Sequence, residues 1–298
     1  MTSRQSIAFI GCGNMGRAVL LGLLDCLHPV VNGDSEEATT SPRLSRFIAT
    51  TRTEASARKL RQSLGRHVHR VDIHVEDSHS AVEAADILIL GFKAYAARQI
   101  LSQTTLCQAM SGKLVISLLA GFSIEQLFTL ITTAGNYTQQ DLVPPIVAKA
   151  VPNMATRVSQ STTILELPRV EFPDDEAELV KWIFSQVGTT VFVPQSQVDI
   201  ASMLATNVLA AMSVALEGLL DGAVVGGLRR AEAVEIATQG IAGFGAMLEA
   251  GEHPSLMRET IVSPGGSTAQ SLLTLEKAAT RAVFAQAQAS NVYPLMSC

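Results

Sequence analysis

Three short stretches of this 298-residue chain hold residue types whose spacing could do chemistry. The first is Gly11-Cys12-Gly13-Asn14-Met15-Gly16. It follows the apolar run Ser6 to Ile10 directly, and after it Ala18, Val19, Leu20, Leu23 and Leu24 recur at helical spacing. A GxGxxG between a strand and a helix is a dinucleotide-binding pattern. Its first glycine permits a tight turn, its second lets the backbone approach a pyrophosphate, and its third allows close helix packing. The helix start then offers unpaired N–H groups to the phosphates. The chemistry implied is hydride transfer, which needs no nucleophile from the chain because the cofactor carries the reactivity.

Which dinucleotide is held depends on the end of the second strand. If His28 to Asp34 (HPVVNGD) formed that strand, Asp34 would chelate the ribose hydroxyls and NADH would fit. The run Arg46 to Thr51 (RFIATT) is the better strand, and it leads straight into Thr51-Arg52-Thr53. A guanidinium flanked by hydroxyls suits a 2'-phosphate, through charge-assisted bonds worth about 1.5 to 3 kcal/mol each. NADPH is therefore the expected cofactor, with NADH as the alternative.

The third stretch is Ser263-Pro264-Gly265-Gly266-Ser267-Thr268, between two helical segments. Adjacent glycines free backbone N–H groups to form an anion-binding concavity at the next helix start, and two hydroxyls there can donate to a small polar ligand. The competing reading is a plain helix-helix loop in which Ser267 or Thr268 is the N-cap.

These residues need a frame to position them. Short apolar runs at Ser6 to Ile10, Arg46 to Thr51, Val71 to Val75, Ile87 to Phe92, Lys113 to Leu118, Val147 to Val151, Thr162 to Leu167 and Thr190 to Val193 read as strands. Helical patterns fall between them from Thr53 to Leu64, at 80–85, from Ala94 to Met110 and from Asp174 to Ser185. Such alternation predicts an α/β, Rossmann-type doubly wound parallel sheet. Residues 28–45 are polar, are broken by Pro29, Gly33 and Pro42, and read as a surface insertion. From Val198 onward only Ala- and Leu-rich helical stretches remain, interrupted at Gly226-Gly227, Gly251 to Pro254 and Ser263 to Gly266. The expected division is a dinucleotide-binding domain over 1–196 and a helical domain over 197–298.

Composition narrows the partners. Hydrophobic residues make up 47% and charged residues 16%, so apolar surface suffices for two cores and for a buried seam with a second copy of the chain. A net charge of -5 gives no general attraction to nucleic acid or anionic lipid. The uncharged segment from Ile200 to Leu216 carries Ser202, Thr206, Asn207 and Ser213, and reads as a buried helix rather than a membrane span. Cys12, Cys26, Cys107 and Cys298 are scattered and read as reduced thiols. The N-terminal residues run into a strand without a secretory apolar stretch, so a cytoplasmic location is expected. His67, His69, His74 and His79 lack one-face helical spacing and read as solvated, with no metal site.

Taken together, IAFIGCGNMGRA, ADILILGFK, KLVISLLAGFSIEQL, VPN, ALEGLLDGAVVGGL and AGEHPSLMRETIVSPGGSTAQSLLTLE resemble pyrroline-5-carboxylate reductase over nearly the whole chain. The resemblance implies a C-terminal helical dimerisation domain and NAD(P)H-dependent reduction of a cyclic imine to proline by a homodimer or higher homo-oligomer. It carries Gly11, Gly13, Asn14, Met15 and Gly16 onto the family's phosphate loop, and Lys93 onto the lysine after the fourth strand. It also places Ala120-Gly121 on the turn beside the nicotinamide and Asn153 on the asparagine of the family's MPN motif. Thr268 falls on the threonine whose hydroxyl meets the imine nitrogen, with Ser263, Gly265, Gly266 and Ser267 around the substrate. Departures cluster there. The family's SGSGPAY is Ala205 to Ala211 in this chain, its arginine before MPN is Lys149, its proline after the lysine is Ala94, and Ser267 replaces a threonine. A helix can continue straight through 205–211. A substituted or six-membered, pipecolate-type imine is the alternative substrate, and a non-catalytic NADP-binding subunit is the further alternative.

Overall fold

The computed structural model describes residues 5–27, 44–166 and 172–289. The expected insertion, with Asp34, falls almost wholly outside the described residues, as does Cys298. The chain divides into two compact units, Met1–Ala205 and Thr206–Cys298.

In chain order the first unit runs β1 (Gln5–Ile10), α1 (Asn14–Leu27), β2 (Leu44–Thr51), α2 (Glu54–Leu64), β3 (Val71–Val75), α3 (Ser78–Glu83) and β4 (Ile87–Leu90). It continues with α4 (Ala97–Ile100), α5 (Thr104–Gln108), β5 (Leu114–Ser117), α6 (Ile124–Ala134), α7 (Tyr137–Gln140), β6 (Ile146–Pro152), β7 (Ser161–Glu166), α8 (Asp174–Ser185) and β8 (Gly188–Val193). The strands form one sheet of order β3-β2-β1-β4-β5-β6-β7-β8, antiparallel only between β6 and β7. Strand residues alternate between two cores, as a doubly covered sheet requires. Ile7 and Phe9 pack with Leu20, Leu23, Leu24 and Phe184 on one face, and Ala8 and Ile10 with Val82, Leu101 and Ile131 on the other.

Local signals set several boundaries. Thr53 caps α2 by accepting from the Ser56 N–H at 3.2 Å, and Asp174, Asp175 and Glu176 face the positive end of the α8 dipole. Ser123 and Gln126 form a reciprocal capping box that starts α6, a helix for which the apolar periodicity gave no expectation. The helix expected over 94–110 is instead broken into a short 3-10 turn, α4 and α5. The five-residue gap between buried Leu101 and Leu106 would turn an unbroken helix about 140° off its apolar face. Ser102 hydrogen-bonds the Gln99 carbonyl there at 2.9 Å and helps end the first segment.

The second unit continues α9 (Val198–Val225), which starts in the first, and adds α10 (Arg230–Glu249), α11 (Pro254–Ile261), α12 (Ser267–Lys277) and α13 (Thr280–Ala289). The helix breaks fall where the glycines and prolines put them, and one more occurs at Ala279, whose φ is +53°. The uncharged stretch expected to be buried lies in α9, where Val208 is 50% and Leu219 69% exposed in the single chain. By length and mean hydropathy (1.8) this helix could also cross a membrane.

Gly188, with φ +143°, starts β8 where a Cβ would overlap the Ser161 backbone, and Ser161 in turn accepts the Asn153 N–H through its hydroxyl at 3.2 Å. Gly188→Ala is expected to destabilise the first unit by about 2 kcal/mol or more, since backbone must move. Urea unfolding checks this; an unchanged midpoint would contradict the packing.

Candidate active site

Ile10, Leu90, Ser117 and Lys149 lie in one row of register across β1, β4, β5 and β6, and mark the C-terminal edge of the sheet. Connections leave β1 and β4 toward opposite faces, so a crevice opens between them, where open α/β sheets bind ligands. Just beyond this row two backbones cross. Gly11 has φ +81°, and a Cβ on it would lie 2.7 Å from the Phe92 Cβ; a Cβ on Gly91 would lie 2.8 Å from the Gly11 carbonyl oxygen. Only glycine fits at either place. The loop is fastened to β2 as well: the Gly11 N–H donates to Thr50 Oγ1 at 2.9 Å and the Cys12 N–H to the Thr50 carbonyl at 2.8 Å.

Gly16 is buried, and a Cβ on it would make ordinary contacts with Gly11 O at 3.5 Å and the Phe9 ring at 3.7 Å, so it faces the interior without being crowded. Gly13 differs. A Cβ there would meet nothing nearer than Gly91 O at 3.6 Å, an ordinary contact, so the fold leaves its outer side open. Asn14 and Met15 begin α1, whose first turn has no acidic residue and presents N–H groups without intrahelical acceptors. An open backbone, a helix N-terminus and no competing carboxylate fit a pyrophosphate. The Cys12 thiol, desolvated between loop and sheet, is pushed up to about 12 despite the nearby Arg17, and stays neutral.

Arg52 follows β2 immediately and is exposed; among the described residues its guanidinium has no partner. The expectation that free hydroxyls flank it needs correcting. Thr51 is buried and donates to the Thr53 carbonyl at 3.3 Å, while the Thr53 hydroxyl caps α2. Of the three residues, Arg52 is the one whose side chain has no partner among the described residues.

Lys93 is exposed at the start of the turn after β4, and Ala120 and Gly121 are exposed after β5, with Gly121 at φ +79°. Asn153 is buried, and both ends of its side chain serve the fold. Oδ1 accepts the Ala155 N–H at 3.0 Å, and Nδ2 donates to the Ala205 carbonyl at 2.9 Å. It braces the first turns of α9 through Nδ2 and the turn after β6 through Oδ1. Lys149 acts beside it: 5% exposed, it lies 3.7 Å from Asp199 Oδ1 on α9. Glu166 shares this pocket of charge, with one carboxylate oxygen lacking a hydrogen-bond partner. Burial raises its pKa against the pull of Lys149. Thr50 and this Lys149–Glu166–Asp199 group went unread as functional in the sequence because their partners come from other elements. His67, expected to be solvated, is buried, with Nε2 2.8 Å from Asp25 Oδ1.

In the second unit, Gly265 takes φ +71° and the Gly266 N–H donates to the Ser263 carbonyl at 3.0 Å. Gly266, not Ser267 or Thr268, is the N-cap of α12, and no side chain caps this helix. The loop reading with a hydroxyl N-cap is thereby removed. The exposed hydroxyls of Ser267 and Thr268 stand at the head of α12 with no hydrogen bond among the described residues. Through 205–211 α9 is continuous, and Asn207 Nδ2 donates to Gln288 Oε1 of α13 at 2.9 Å.

Two family descriptions match the chain: pyrroline-5-carboxylate reductase dimerisation over residues 195–292, and NADP oxidoreductase, coenzyme F420-dependent, over residues 6–121. Among curated proteins, pyrroline-5-carboxylate reductase of Lophium arboricola is 34% identical over 96% of this chain and 90% of its own length. That of Neurospora crassa is 33% identical over the same shares. A solved pyrroline carboxylate reductase of Plasmodium falciparum, with NADP bound, has a TM-score of 0.74 at 20% identity, over 97% of this chain and 96% of its own.

The two exposed faces of the loop are separable by experiment. Gly13→Ala should fold with its unfolding free energy changed by about 0.5 kcal/mol or less, yet weaken NADPH binding at least about tenfold, because only a ligand needs that space. Gly11→Ala should lose both stability and binding. Thermal unfolding with and without NADPH reads both; unchanged NADPH affinity in Gly13→Ala would refute the assignment.

Proposed function

The chain belongs to the pyrroline-5-carboxylate reductase family, and from that premise we propose that it reduces 1-pyrroline-5-carboxylate to proline with NADPH. One observation within the molecule carries the reading. A phosphate loop left open at Gly13 and a glycine-capped turn with two uncommitted hydroxyls, Ser267 and Thr268, occur in the same chain. A pure binding module has no use for the second.

When bound, NADPH would supply the hydride for the imine carbon; water can supply the proton on the ring nitrogen that makes that carbon electrophilic. The chain's part is to bind and orient. The N–H groups of Asn14, Met15 and Gly16 would hold the pyrophosphate, with Gly11 and Gly13 allowing its approach, and Arg52 would take the 2'-phosphate. Lys93 and Ala120 would border the nicotinamide half. Thr51, Thr53 and Asn153 would hold the frame. Ser263, Gly265 and Gly266, with the head of α12, would bind the ring carboxylate, Ser267 would add a donor, and the Thr268 hydroxyl would meet the imine nitrogen. Oriented donors of this kind stabilise charge as it changes in the transition state.

We assign the homo-oligomer, at least a dimer, to the helical unit. The exposed apolar side chains of α9, Val208, Leu219 and Val225 among them, would close against a second copy, which makes a membrane span unnecessary. Location in the cytoplasm and independence from nucleic acid and membrane complete the reading. A second substrate reading has its own observation: the unbroken α9 and its Asn207–Gln288 contact replace the family's glycine-rich stretch, which favours a substituted or six-membered imine.

NADPH oxidation over a panel of cyclic imino acids tests these alternatives. Turnover of 1-pyrroline-5-carboxylate should exceed that of the six-membered imine at least about tenfold. The reverse order would favour the second reading, and no oxidation of any imine would leave a non-catalytic subunit. On the best imine, Thr268→Val should lower kcat about 10- to 1,000-fold with NADPH affinity unchanged. Full activity would remove Thr268 from the mechanism.

Arg52→Ala should raise the NADPH KM about 10- to 150-fold and leave the NADH KM near its original value, since only one cofactor carries the phosphate. Equal effects on both cofactors would assign Arg52 to general surface charge.

A further inference from the structure

Glu54, Glu76 and Asp77 stand where β2 and β3 end, beside Arg52 in the chain or across the strand ends from it. Two of these carboxylates are engaged. Glu54 Oε1 accepts from Arg61 of the same helix at 2.7 Å. Asp77 caps α3 by accepting the Ser80 N–H at 3.1 Å, and its other oxygen lies 3.8 Å from His74 Nδ1. Glu76 is exposed, and its carboxylate has no partner among the described residues.

The backbone fixes where Glu76 stands. Thr51 and Val75 are partners in the parallel ladder of β2 and β3, so the residues that follow them, Arg52 and Glu76, leave the sheet side by side. The Glu76 N–H is tied to the same place, donating to the Thr51 carbonyl at 2.9 Å. Neighbouring strands lie about 4.8 Å apart, so the two residues start from adjacent points. Glu76 takes φ +59°, a left-handed conformation that glycine or asparagine adopts at less cost, and the turn itself therefore gives no reason for a glutamate. The carboxylate is what the position adds.

Arg52 and Glu76 form no ion pair among the described residues, so the guanidinium is open to a phosphate while a carboxylate stands beside it. Repulsion between that carboxylate and the phosphate needs proximity but no particular side-chain direction. A unit charge about 7 to 10 Å from a phosphate that carries nearly two changes affinity about 3- to 10-fold in water. We propose that Glu76 is a specificity-determining residue: it holds back affinity for the 2'-phosphate and so keeps NADH usable as a second cofactor. NADH has no phosphate at that place and escapes the repulsion. The proposal rests on NADPH as the cofactor and on Arg52 as the residue that takes its 2'-phosphate.

Calorimetric titration of the full-length wild type, Glu76→Gln and Glu76→Lys with NADPH, NADH and adenosine 2',5'-bisphosphate tests it. Two salt concentrations are compared: about 10 mM, where the Debye length is about 30 Å, and about 0.5 M, where it is about 4 Å. At low salt Glu76→Gln should tighten NADPH and the bisphosphate about 3- to 10-fold and leave NADH within about twofold. Glu76→Lys should tighten the first two at least as much. At high salt both differences should fall below about twofold, which an altered turn would not do. Unchanged NADPH affinity at low salt overturns the proposal, and so does an equal change for NADH. A difference that survives high salt also overturns it, since the cause would then lie in the backbone and not in the charge. The premises fail separately. A wild type that binds neither NADPH nor the bisphosphate defeats the cofactor assignment, and unaltered NADPH affinity in Arg52→Ala removes the phosphate from this edge; both are read without touching Glu76.

Discussion

Where Gly11 passes Phe92, and Gly91 passes the Gly11 carbonyl, neither chain has room for a Cβ. Bringing β1 and β4 together at their C-terminal ends while sending their connections to opposite faces forces this approach, and only glycine tolerates it. Much else in the first unit depends on the contact. It sets where α1 begins and therefore where its unpaired N–H groups point. It also fixes the path of the chain into Lys93. Because the Thr50 backbone and hydroxyl accept the next two N–H groups, the same contact positions the end of β2 and the cationic Arg52.

The glycines of the loop thus differ in what the fold asks of them. Gly11 has no room for a Cβ and Gly16 is buried, while Gly13 is exposed with space around it that the fold does not use. The charged residues differ in the same way. The protein is acidic overall, at -5, and its sheet edge carries both signs: Arg17, Arg52, Lys93 and Lys149 stand there with Glu54, Glu76, Glu166 and Asp199. Lys149 is buried beside Glu166, lies 3.7 Å from the exposed Asp199, and steadies the first turn of α9. Arg52 and Lys93 remain exposed. Exposed cations that no carboxylate holds among the described residues can pair with an anionic small molecule, while the net charge gives no general attraction to nucleic acid.

Much of the frame was legible in the sequence because its signals are local. Alternating apolar runs gave all eight strands to within a few residues, and the Thr53 cap and the Asp174 start of α8 were read directly. What was missed required partners distant in sequence or a weaker local cue. The α6 helix announces itself only through the Ser123 and Gln126 box, and the break between α4 and α5 only through the spacing of Leu101 and Leu106. At the site, residue types were readable but their engagement was not. Nothing in VPN says that Asn153 has its amide committed to Ala205, and nothing in RFIATT says that Thr51 turns inward. The glycine cap of α12 was likewise invisible, since Ser267 and Thr268 are equally good capping residues by type.

Amide hydrogen exchange, followed residue by residue with and without saturating NADPH, tests most directly whether the glycine crossing presents the cofactor site. The account requires the amides from Asn14 to Gly16, together with those of Arg52 and Thr53, to slow on addition of NADPH. The Gly91 amide, already bonded to the Ile10 carbonyl, should be slow in both states. Protection that appears elsewhere while Asn14 to Gly16 exchange as before would contradict it.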